Sequence, residues 1–338
     1  MIEQESAVSF DYRSSGFQES FLGPGEELRA LANAVGLVPR YPMDIVTLHG
    51  RDSLDLLHRI STNDLLSPKG AVTPTILVNE KGRIIDYVRV VPSGDETLLL
   101  CSPGMGETVA SWVEKFIIME DVAVDPPAGR SVVTLVGPDA ADTARRCFPC
   151  TDGATGVVVV HGENVRWAIT TDFGIEAVHF ISARPDTVAS SFPRETAGIG
   201  WRAWEIYRIA HGMPLTGREI TPAFNPFDCG LLHAVSFSKG CYIGQEVIAR
   251  IDTYQKARRS LYGVRTESDP GTTPLPASVL KNDEEVGVLT SVCGTEEGGV
   301  GLAVLRSDQC TTGDIVATAD VPSFQVSGFP ISLSRQEQ

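Results

Sequence analysis

The sequence predicts an α+β protein built from two related units with antiparallel sheets and a small C-terminal β-barrel. A faint internal repeat is the first observation behind this. Ile45-Val46-Thr47-Leu48-His49-Gly50-Arg51-Asp52 and Val132-Val133-Thr134-Leu135-Val136-Gly137-Pro138-Asp139 are both apolar strands ending in Gly-x-Asp, and each precedes a helical pattern, Leu54 to Ile60 and Ala140 to Cys147. An aspartate at that point is suited to capping the helix that follows. The second observation is the cadence after Arg259, where short apolar runs alternate with Gly and Pro as in a small barrel or jelly roll.

The remaining elements follow in order. After the first strand and helix come alternating strands at Thr75 to Val78, Arg83 to Val91 and Thr97 to Cys101, with a turn at Asn79-Glu80-Lys81-Gly82. A helix over Glu107 to Ile118 and a strand over Val122 to Val124 complete the unit. In the second unit, Gly156 to Val160, Val165 to Thr170 and Glu176 to Ser182 read as strands, with a turn at Gly162-Glu163-Asn164 and a polar helix over Pro185 to Ser191. A helix from Trp201 to His211 leads into an irregular stretch from Gly212 to Ser238, and a loop that long inside a compact domain is usually functional. Barrel strands are expected at Ser260 to Val264, Glu285 to Ser291, Val300 to Leu305 and Ile315 to Ala317.

A chain of 338 residues exceeds the usual size of a single core. It holds no run of about 18 apolar residues, so no membrane span is expected. Its N-terminus, Met1-Ile2-Glu3-Gln4-Glu5-Ser6, lacks a secretion or transit signal, which makes the cytoplasm the expected location. The formal net charge of −15 speaks against nucleic acid as a partner. Lys256-Ala257-Arg258-Arg259 is the one notable basic cluster, better read as a solvated turn or a small-anion site. The cysteines (101, 147, 150, 229, 241, 293 and 310) are dispersed and odd in number, as suits reduced thiols. Cys147-Phe148-Pro149-Cys150 has C-x-x-C spacing, but with no second pair or nearby histidine it reads as two structural thiols at a helix end. The histidines show no paired-ligand spacing, so no metal site is assigned, and His49, His58 and His233 read as packed or surface residues. No G-x-G-x-x-G accompanies the first strand, which leaves dinucleotide binding unsupported.

The most specific stretch is Lys239-Gly240-Cys241-Tyr242-Ile243-Gly244-Gln245-Glu246, a polar loop feeding a short helix. Two glycines allow a sharp turn or a close backbone approach. Lys239 beside Cys241 would favour the thiolate, whereas Glu246 would oppose it. The segment resembles the K-G-C-Y-x-G-Q-E signature of the YgfZ family, tetrahydrofolate-binding relatives of the glycine-cleavage T-protein (aminomethyltransferase) linked to iron–sulfur protein maturation. The resemblance runs from about Asp44 to Leu305. It implies a T-protein-like folate-binding region over 21–255, with pseudo-repeats at about 44–125 and 131–200 and the signature loop at 239–246. A barrel domain over 256–338 follows, and residues 1–20 are expected to form a flexible tail.

The resemblance also implies the site. Lys81-Gly82-Arg83-Ile84-Ile85-Asp86-Tyr87 looks like the T-protein segment G-G-x-x-D-D, so Asp86 takes the place of the aspartate assigned to catalysis and Tyr87 replaces the second one. Asp172-Phe173-Gly174-Ile175-Glu176 resembles E-D-G-x-E, which makes Glu176 the pterin-binding carboxylate, while Ile169 replaces an aromatic contact. Arg208, on the helix before the long loop, falls near the folate tail. Cys241 and Asp86 are thus the candidate catalytic residues, and Glu176, Arg208, Lys239, Tyr242, Gln245 and Glu246 the candidate folate-binding residues. Each also has a structural reading: Asp86 on a solvated strand face, Glu176 at a strand edge, Arg208 paired with Asp172 or Glu205, Cys241 as a thiol in a tight loop. Thr62-Asn63-Asp64 matches a family-typical T-N-D and reads mainly as a turn. The expected function is tetrahydrofolate-dependent (or one-carbon-folate-dependent) assistance to iron–sulfur proteins or their assembly machinery, with Cys241 as nucleophile or soft metal ligand. An aminomethyltransferase and a non-catalytic folate-binding scaffold are the alternatives.

Overall fold

The computed structural model describes residues 12, 17–67, 70–94, 96–127, 129–148, 153–253, 258–321 and 323–333. Cys150 and Lys256-Ala257 lie outside them. Two largely antiparallel sheets form the body. The first takes β2 (Asp44–His49), β3 (Thr73–Val78), β4 (Ile84–Ser93), β5 (Glu96–Cys101) and β6 (Ala123–Asp125) in the order β3-β4-β5-β2-β6. The second takes β1 (Gly36–Tyr41), β7 (Ser131–Val136), β8 (Thr155–Val160), β9 (Glu163–Thr170), β10 (Ala177–Ser182) and β11 (Ala197–Gly198) in the order β11-β1-β7-β10-β9-β8. Helices α2 (Ser53–Ile60) and α3 (Gly106–Glu114) cover the first sheet; α4 (Ala140–Cys147) and α5 (Pro185–Ala189) cover the second. The predicted helix from 107 ends four residues early, at Glu114, and Ile118 and Met119 beyond it are 86% and 93% exposed.

The two Gly-x-Asp turns are alike in backbone but not in capping. Gly50 and Gly137 have φ of 110° and 121°, and a Cβ on either would lie within 2.0 Å of Asp121 O or 2.6 Å of Ala34 O. Glycine is therefore required at both. Neither aspartate side chain caps its helix. Asp52 accepts instead from the Asp121 N–H at 2.8 Å, tying the strand turn to the approach to β6.

Several elements lie outside the predicted set. Helix α1 (Pro24–Asn33) packs on α6 (Trp201–Ala210), and β1 crosses into the second sheet, antiparallel to β7 and parallel to β11. The expected loose tail over 1–20 is anchored where it is described: Tyr12 and Phe17 are buried, because their rings complete an aromatic cluster with Tyr41 and Trp204.

The C-terminal sheet comprises β12 (Arg259–Thr266), β13 (Ala277–Lys281), β14 (Glu284–Thr295), β15 (Gly298–Arg306), β16 (Ile315–Val316) and β17 (Phe324–Ser327), ordered β13-β14-β15-β12-β17-β16. A reciprocal Leu280–Ala317 backbone pair at 2.8 and 2.9 Å joins its two edges, so the sheet nearly closes into a barrel. Its attachment to the body centres on Arg208 of α6. That guanidinium is 1% exposed and donates to both Glu205 oxygens (2.6 and 2.5 Å), Met213 O (3.1 Å) and Ser291 Oγ of β14 (2.9 Å), with Glu219 at 3.6 Å. Ser291 in turn donates to Glu219 at 2.7 Å. Burial alone would discharge Arg208, but the two carboxylates hold its pKa above the usual value. Arg208→Ala strands two buried acids, at a cost of about 3–5 kcal/mol. Urea unfolding should show that loss; a change below about 1 kcal/mol would mean that the network does not secure the barrel.

Candidate functional site

Three adjoining cavities meet where the two sheets face each other. An inner cavity of about 30 Å³ lies among Tyr12, Tyr41, Tyr87, Arg89, Trp204 and Leu215. A second, of about 20 Å³, shares Tyr41, Arg89 and Trp204 and adds Thr134, Thr170, Asp172 and His179. Both are the size of a buried water. An outer cavity of about 490 Å³ opens over Arg89, Thr170 and Asp172 and is walled by Val72, Pro74, Ile169, Phe173 and His233. That volume suits a small-molecule ligand.

Arg89 and Asp172 form the floor common to the outer and second cavities. Arg89 comes from β4 of the first sheet and Asp172 from the turn before β10 of the second. Their side chains are 7% and 11% exposed, and Arg89 Nε donates to Asp172 Oδ2. Burial opposes ionisation of both. Even so, Asp172 holds Arg89 above its usual pKa, and Arg89 holds Asp172 below the usual carboxylate range. The pair stays charged.

Aromatic groups enclose the pair. Tyr87 sits under the Arg89 guanidinium at 5.1 Å and contacts the rings of Phe173 (5.9 Å) and His233 (5.8 Å). Its hydroxyl lies 3.0 Å from His233 Nε2. Burial lowers the His233 pKa, and the Tyr87 hydroxyl is also hydrogen-bonded to Asp172. Phe173 itself adopts φ 55°, which turns its ring back over His233 at 4.9 Å. Deeper in, His179 is held between Thr134 Oγ1 (2.9 Å) and Thr170 Oγ1 (3.1 Å), and burial drives its pKa down to about 3.

The predicted residues divide into separate groups. Asp86 is fully buried rather than on a solvated face. It accepts from Ser102 N (2.9 Å) and from Thr216 Oγ1 (3.4 Å) and stands behind the Ser102 wall of the inner cavity. Burial raises its pKa to about 7 against those hydrogen bonds. Glu176 does not face the cavities. Strand residues alternate faces; Ile175 and Ala177 line the second cavity, whereas Glu176 Oε1 accepts the Ala141 N–H of α4 at 3.1 Å. The carboxylate that does face the cavities is Asp172. Arg208 touches the inner cavity, but its N–H groups are committed to the barrel network, with Glu205 and not Asp172 as its acid.

The signature loop lies apart from this floor, against α2 and the β3–β4 turn. Lys239 Nζ donates to three backbone carbonyls: His58, Ser61 (2.8 Å) and Asn63 (2.7 Å). These lie in the last turn of α2 and just beyond it, where a cation is favoured. Burial lowers the Lys239 pKa to about 8, with Asp64 opposing the shift. Lys239 is therefore a helix cap and loop clamp, with its three donors spent. Thr62 Oγ1 donates to Ala234 O (2.6 Å) and Ser236 N to Thr62 O (3.0 Å), so the T-N-D turn holds the same loop. Gly244 has φ 78°, and a Cβ there would lie 2.5 Å from Asn79 O. Tyr242 is buried in one cluster with Tyr87 and Leu231, under the Lys239 ammonium at 5.1 Å. Gln245 and Glu246 begin α7 (Gln245–Thr253), and Cys241 is exposed. Among the described residues, no group of three His, Cys, Asp or Glu side chains is placed to hold a metal ion. No helix among them is long and apolar enough to cross a membrane.

A larger cavity of about 710 Å³ lies between α1, α6 and the β14–β15 turn. Its charged residues Arg29, Arg202 and Glu296 are exposed and Glu297 is half-exposed, so it offers no buried charge to orient a ligand.

Residues 3–161 match the GCVT N-terminal domain family. Aminomethyltransferase T from Bartonella henselae superposes with a TM-score of 0.80 at 18% identity over 96% of each chain. The chain has the T-protein-like fold. It is 27% identical over 345 residues to an Arabidopsis thaliana protein named as a "putative transferase, chloroplastic", covering 95% of this chain and 76% of that one. It is 26% identical over 307 residues to the aminomethyltransferase of Moorella thermoacetica, covering 85% and 83%. These matches support the T-protein-like superfamily.

Sequence reasoning missed Arg89, Asp172, His179 and Tyr41 as cavity residues. The one available signal was Arg89 inside an otherwise apolar strand, which is costly unless it is paired. Two titrations of opposite sign follow from the site. Asp86, raised from 3.8 to about 7, contributes stability at low pH that is lost as pH rises through that window. His179, lowered from 6.5 to about 3, contributes stability above pH 6.5 that is lost as pH falls. In urea unfolding from pH 4.5 to 7.5, Asp86→Asn should gain on the parent with rising pH, by up to roughly 3 kcal/mol. His179→Gln should lose ground over the same range. Parallel curves for all three proteins would refute both assignments.

Proposed function

We propose that the chain binds a reduced folate in the outer cavity, with the pterin edge toward Asp172 and Arg89. The observation that carries this reading is the buried, charged Arg89–Asp172 pair at the base of a ligand-sized cavity between the two sheets. A pterin presents amino and ring N–H donors along one edge, and Asp172 keeps oxygen valence for them while Arg89 fixes its orientation. Phe173, His233, Ile169 and Pro74 supply flat, apolar walls. Ile169 stands where the T-protein pattern has a tyrosine, so the wall is aliphatic there and Phe173 and Tyr87 supply the aromatic surface. Tetrahydrofolate or a one-carbon derivative is the expected ligand, on the strength of the T-protein-like fold.

We further assign the chain, on the signature Lys239–Glu246, to the YgfZ type: a folate-binding accessory for maturation or repair of iron–sulfur proteins, with exposed Cys241 as the thiol that meets the client. The clamp of Lys239, Thr62 and Ser236 gives that thiol a fixed place on the surface. The aminomethyltransferase reading is favoured by one observation, the buried Asp86 with a pKa near neutrality, suited to moving a proton. Tyr87 in place of the second aspartate weighs against it, because that side chain is packed into the His233–Phe173 group. No transfer above background is expected from an aminomethylated lipoyl carrier protein, and robust transfer would favour the enzyme.

Asp172→Asn should weaken 5-formyltetrahydrofolate binding at least tenfold by calorimetry, since a hydrogen bond to a charged group contributes about 1.5–3 kcal/mol. Glu176→Ala should leave that affinity unchanged while lowering stability by about 1 kcal/mol through loss of its contact with α4. The reverse pattern would return the pterin to Glu176. Cys241→Ser should fail to restore iron–sulfur enzyme activities in a deletion strain yet bind folate normally; full restoration would remove the thiol from the function.

A further inference from the structure

We propose that the Tyr87 hydroxyl carries one proton shared between Asp172 and His233, so that a ligand donating N–H groups to Asp172 expels a proton from His233. The ligand half of this rests on the folate reading above and adds a linked proton to it.

The groups form a chain. Arg89 Nε donates to Asp172 Oδ2, and the Tyr87 hydroxyl is hydrogen-bonded to the same carboxylate. That hydroxyl also lies 3.0 Å from His233 Nε2. The other ring nitrogen, Nδ1, is left to donate to the Gly230 carbonyl, with which the imidazole is hydrogen-bonded. Tyr87 is buried, whereas His233 stands on the wall of the outer cavity and is open to solvent. A proton lost from the chain therefore leaves through His233.

The chain is one proton short while the imidazole is neutral. A phenol has one O–H, and a neutral imidazole with its proton on Nδ1 presents a bare Nε2. Tyr87 then faces two acceptors, Asp172 and Nε2, with a single proton. On the imidazolium, Nε2–H donates to the Tyr87 oxygen and the Tyr87 O–H turns to Asp172, so each contact holds a proton. A ligand N–H at Asp172 makes up the shortage in another way. Tyr87 then donates to His233, the imidazole is neutral, and the Nε2 proton passes to water. The ligand class this suits has a donor edge, as a pterin has along its amino and ring N–H groups.

Few other charges reach the imidazole. Partial burial lowers its pKa from the usual 6.5, Asp172 opposes that shift, Arg89 adds to it and the Gly230 carbonyl opposes it. Strand β3 packs against the turn that carries His233 and has no titratable side chain. His179 sits on the far side of the pair between two threonine hydroxyls, and with a pKa of about 3 it is uncharged near neutrality. Asp86 titrates at about pH 7, but its carboxylate is bonded to Ser102 and Thr216, outside the chain.

The test is calorimetry with 5-formyltetrahydrofolate from pH 5.0 to 7.5, in buffers of different ionisation enthalpy, on the full-length parent, Tyr87→Phe and His233→Phe. The titrations of the ligand and of Asp86 are common to all three proteins. Parent affinity should fall toward pH 5.0 by about fivefold, the worth of roughly one hydrogen bond, with protons released on binding. Tyr87→Phe should flatten that slope and abolish the release. His233→Phe leaves the phenol to Asp172 alone and should bind about fivefold more weakly than the parent at pH 7.5. A parent affinity that does not change with pH, or a Tyr87→Phe variant that keeps the parent's slope, overturns the shared proton and leaves the folate reading standing. The ligand-free His233 titration, followed by NMR, tests the chain independently. Tyr87→Phe removes the acceptor of Nε2–H and should lower the His233 pKa by about 0.5. Folate binding to none of the three proteins overturns the folate reading, and an unmoved His233 titration then overturns the chain as well.

Discussion

The buried Arg89–Asp172 pair is the contact on which the arrangement of the site depends. It spans the two sheets, and each partner is ionised only because the other is there. Removing either would leave an isolated charge in a desolvated place, at a cost far above that of a lost surface ion pair. Once the pair is fixed, its neighbours follow. Tyr87 lies under the guanidinium, its hydroxyl reaches His233, and Phe173 turns back over the imidazole. The positive φ of Phe173 is explained in this way, as backbone strain held by the ring packing it permits. The outer cavity is therefore the space left above a rigid, charged floor.

Two further clamps fix what surrounds that floor, each built from one basic side chain. Arg208 joins α6 to the long loop through Glu219 and to the barrel through Ser291, so the barrel is held by a buried polar network and not by apolar packing alone. Lys239 joins the signature loop to the end of α2 through three carbonyls. This division explains why the loop can present Cys241 to solvent while its backbone is held: the lysine supplies the anchor and the cysteine stays exposed. The floor and the thiol are connected through Tyr87 and Tyr242, which share one apolar cluster with Leu231.

Much of this fold was legible in the sequence, and the reasons are local. Helix α4 was predicted at its observed bounds because Gly137-Pro138-Asp139 punctuates it and Cys147 ends its apolar stripe. The barrel cadence also held, although β13 and β17 were not foreseen. β1 escaped because Pro39 and Arg40 interrupt its apolar pattern, and its register indeed shifts between Val38 and Tyr41. Its place in the second sheet is a long-range fact that no local signal carries. Of the residues the resemblance implied, Glu176 is turned to α4, and Asp172 four residues earlier lines the cavities. Around Asp172–Glu176 the strand's two-residue period decides which carboxylate faces the cavity, and the irregular turn at Phe173 hides that phase from sequence. Arg208 was recognisable as the partner of Glu205 three residues earlier, but Glu219 and Ser291, which make it a structural hub, are distant in the chain. Lys239 shows the same limit: its proximity to Cys241 in sequence suggested thiolate activation, whereas its ammonium is turned onto the carbonyls at the C-terminal end of α2.

The central claim is that a folate binds over the Arg89–Asp172 floor between the two sheets. A crystal structure of the full-length protein with 5-formyltetrahydrofolate tests it most directly. The account predicts a bicyclic ring in the outer cavity, its donor edge within hydrogen-bonding distance of Asp172 and its face against Phe173 or His233. A pterin bound instead in the cavity between α1 and α6, or against Glu176 with the outer cavity unfilled, would contradict it.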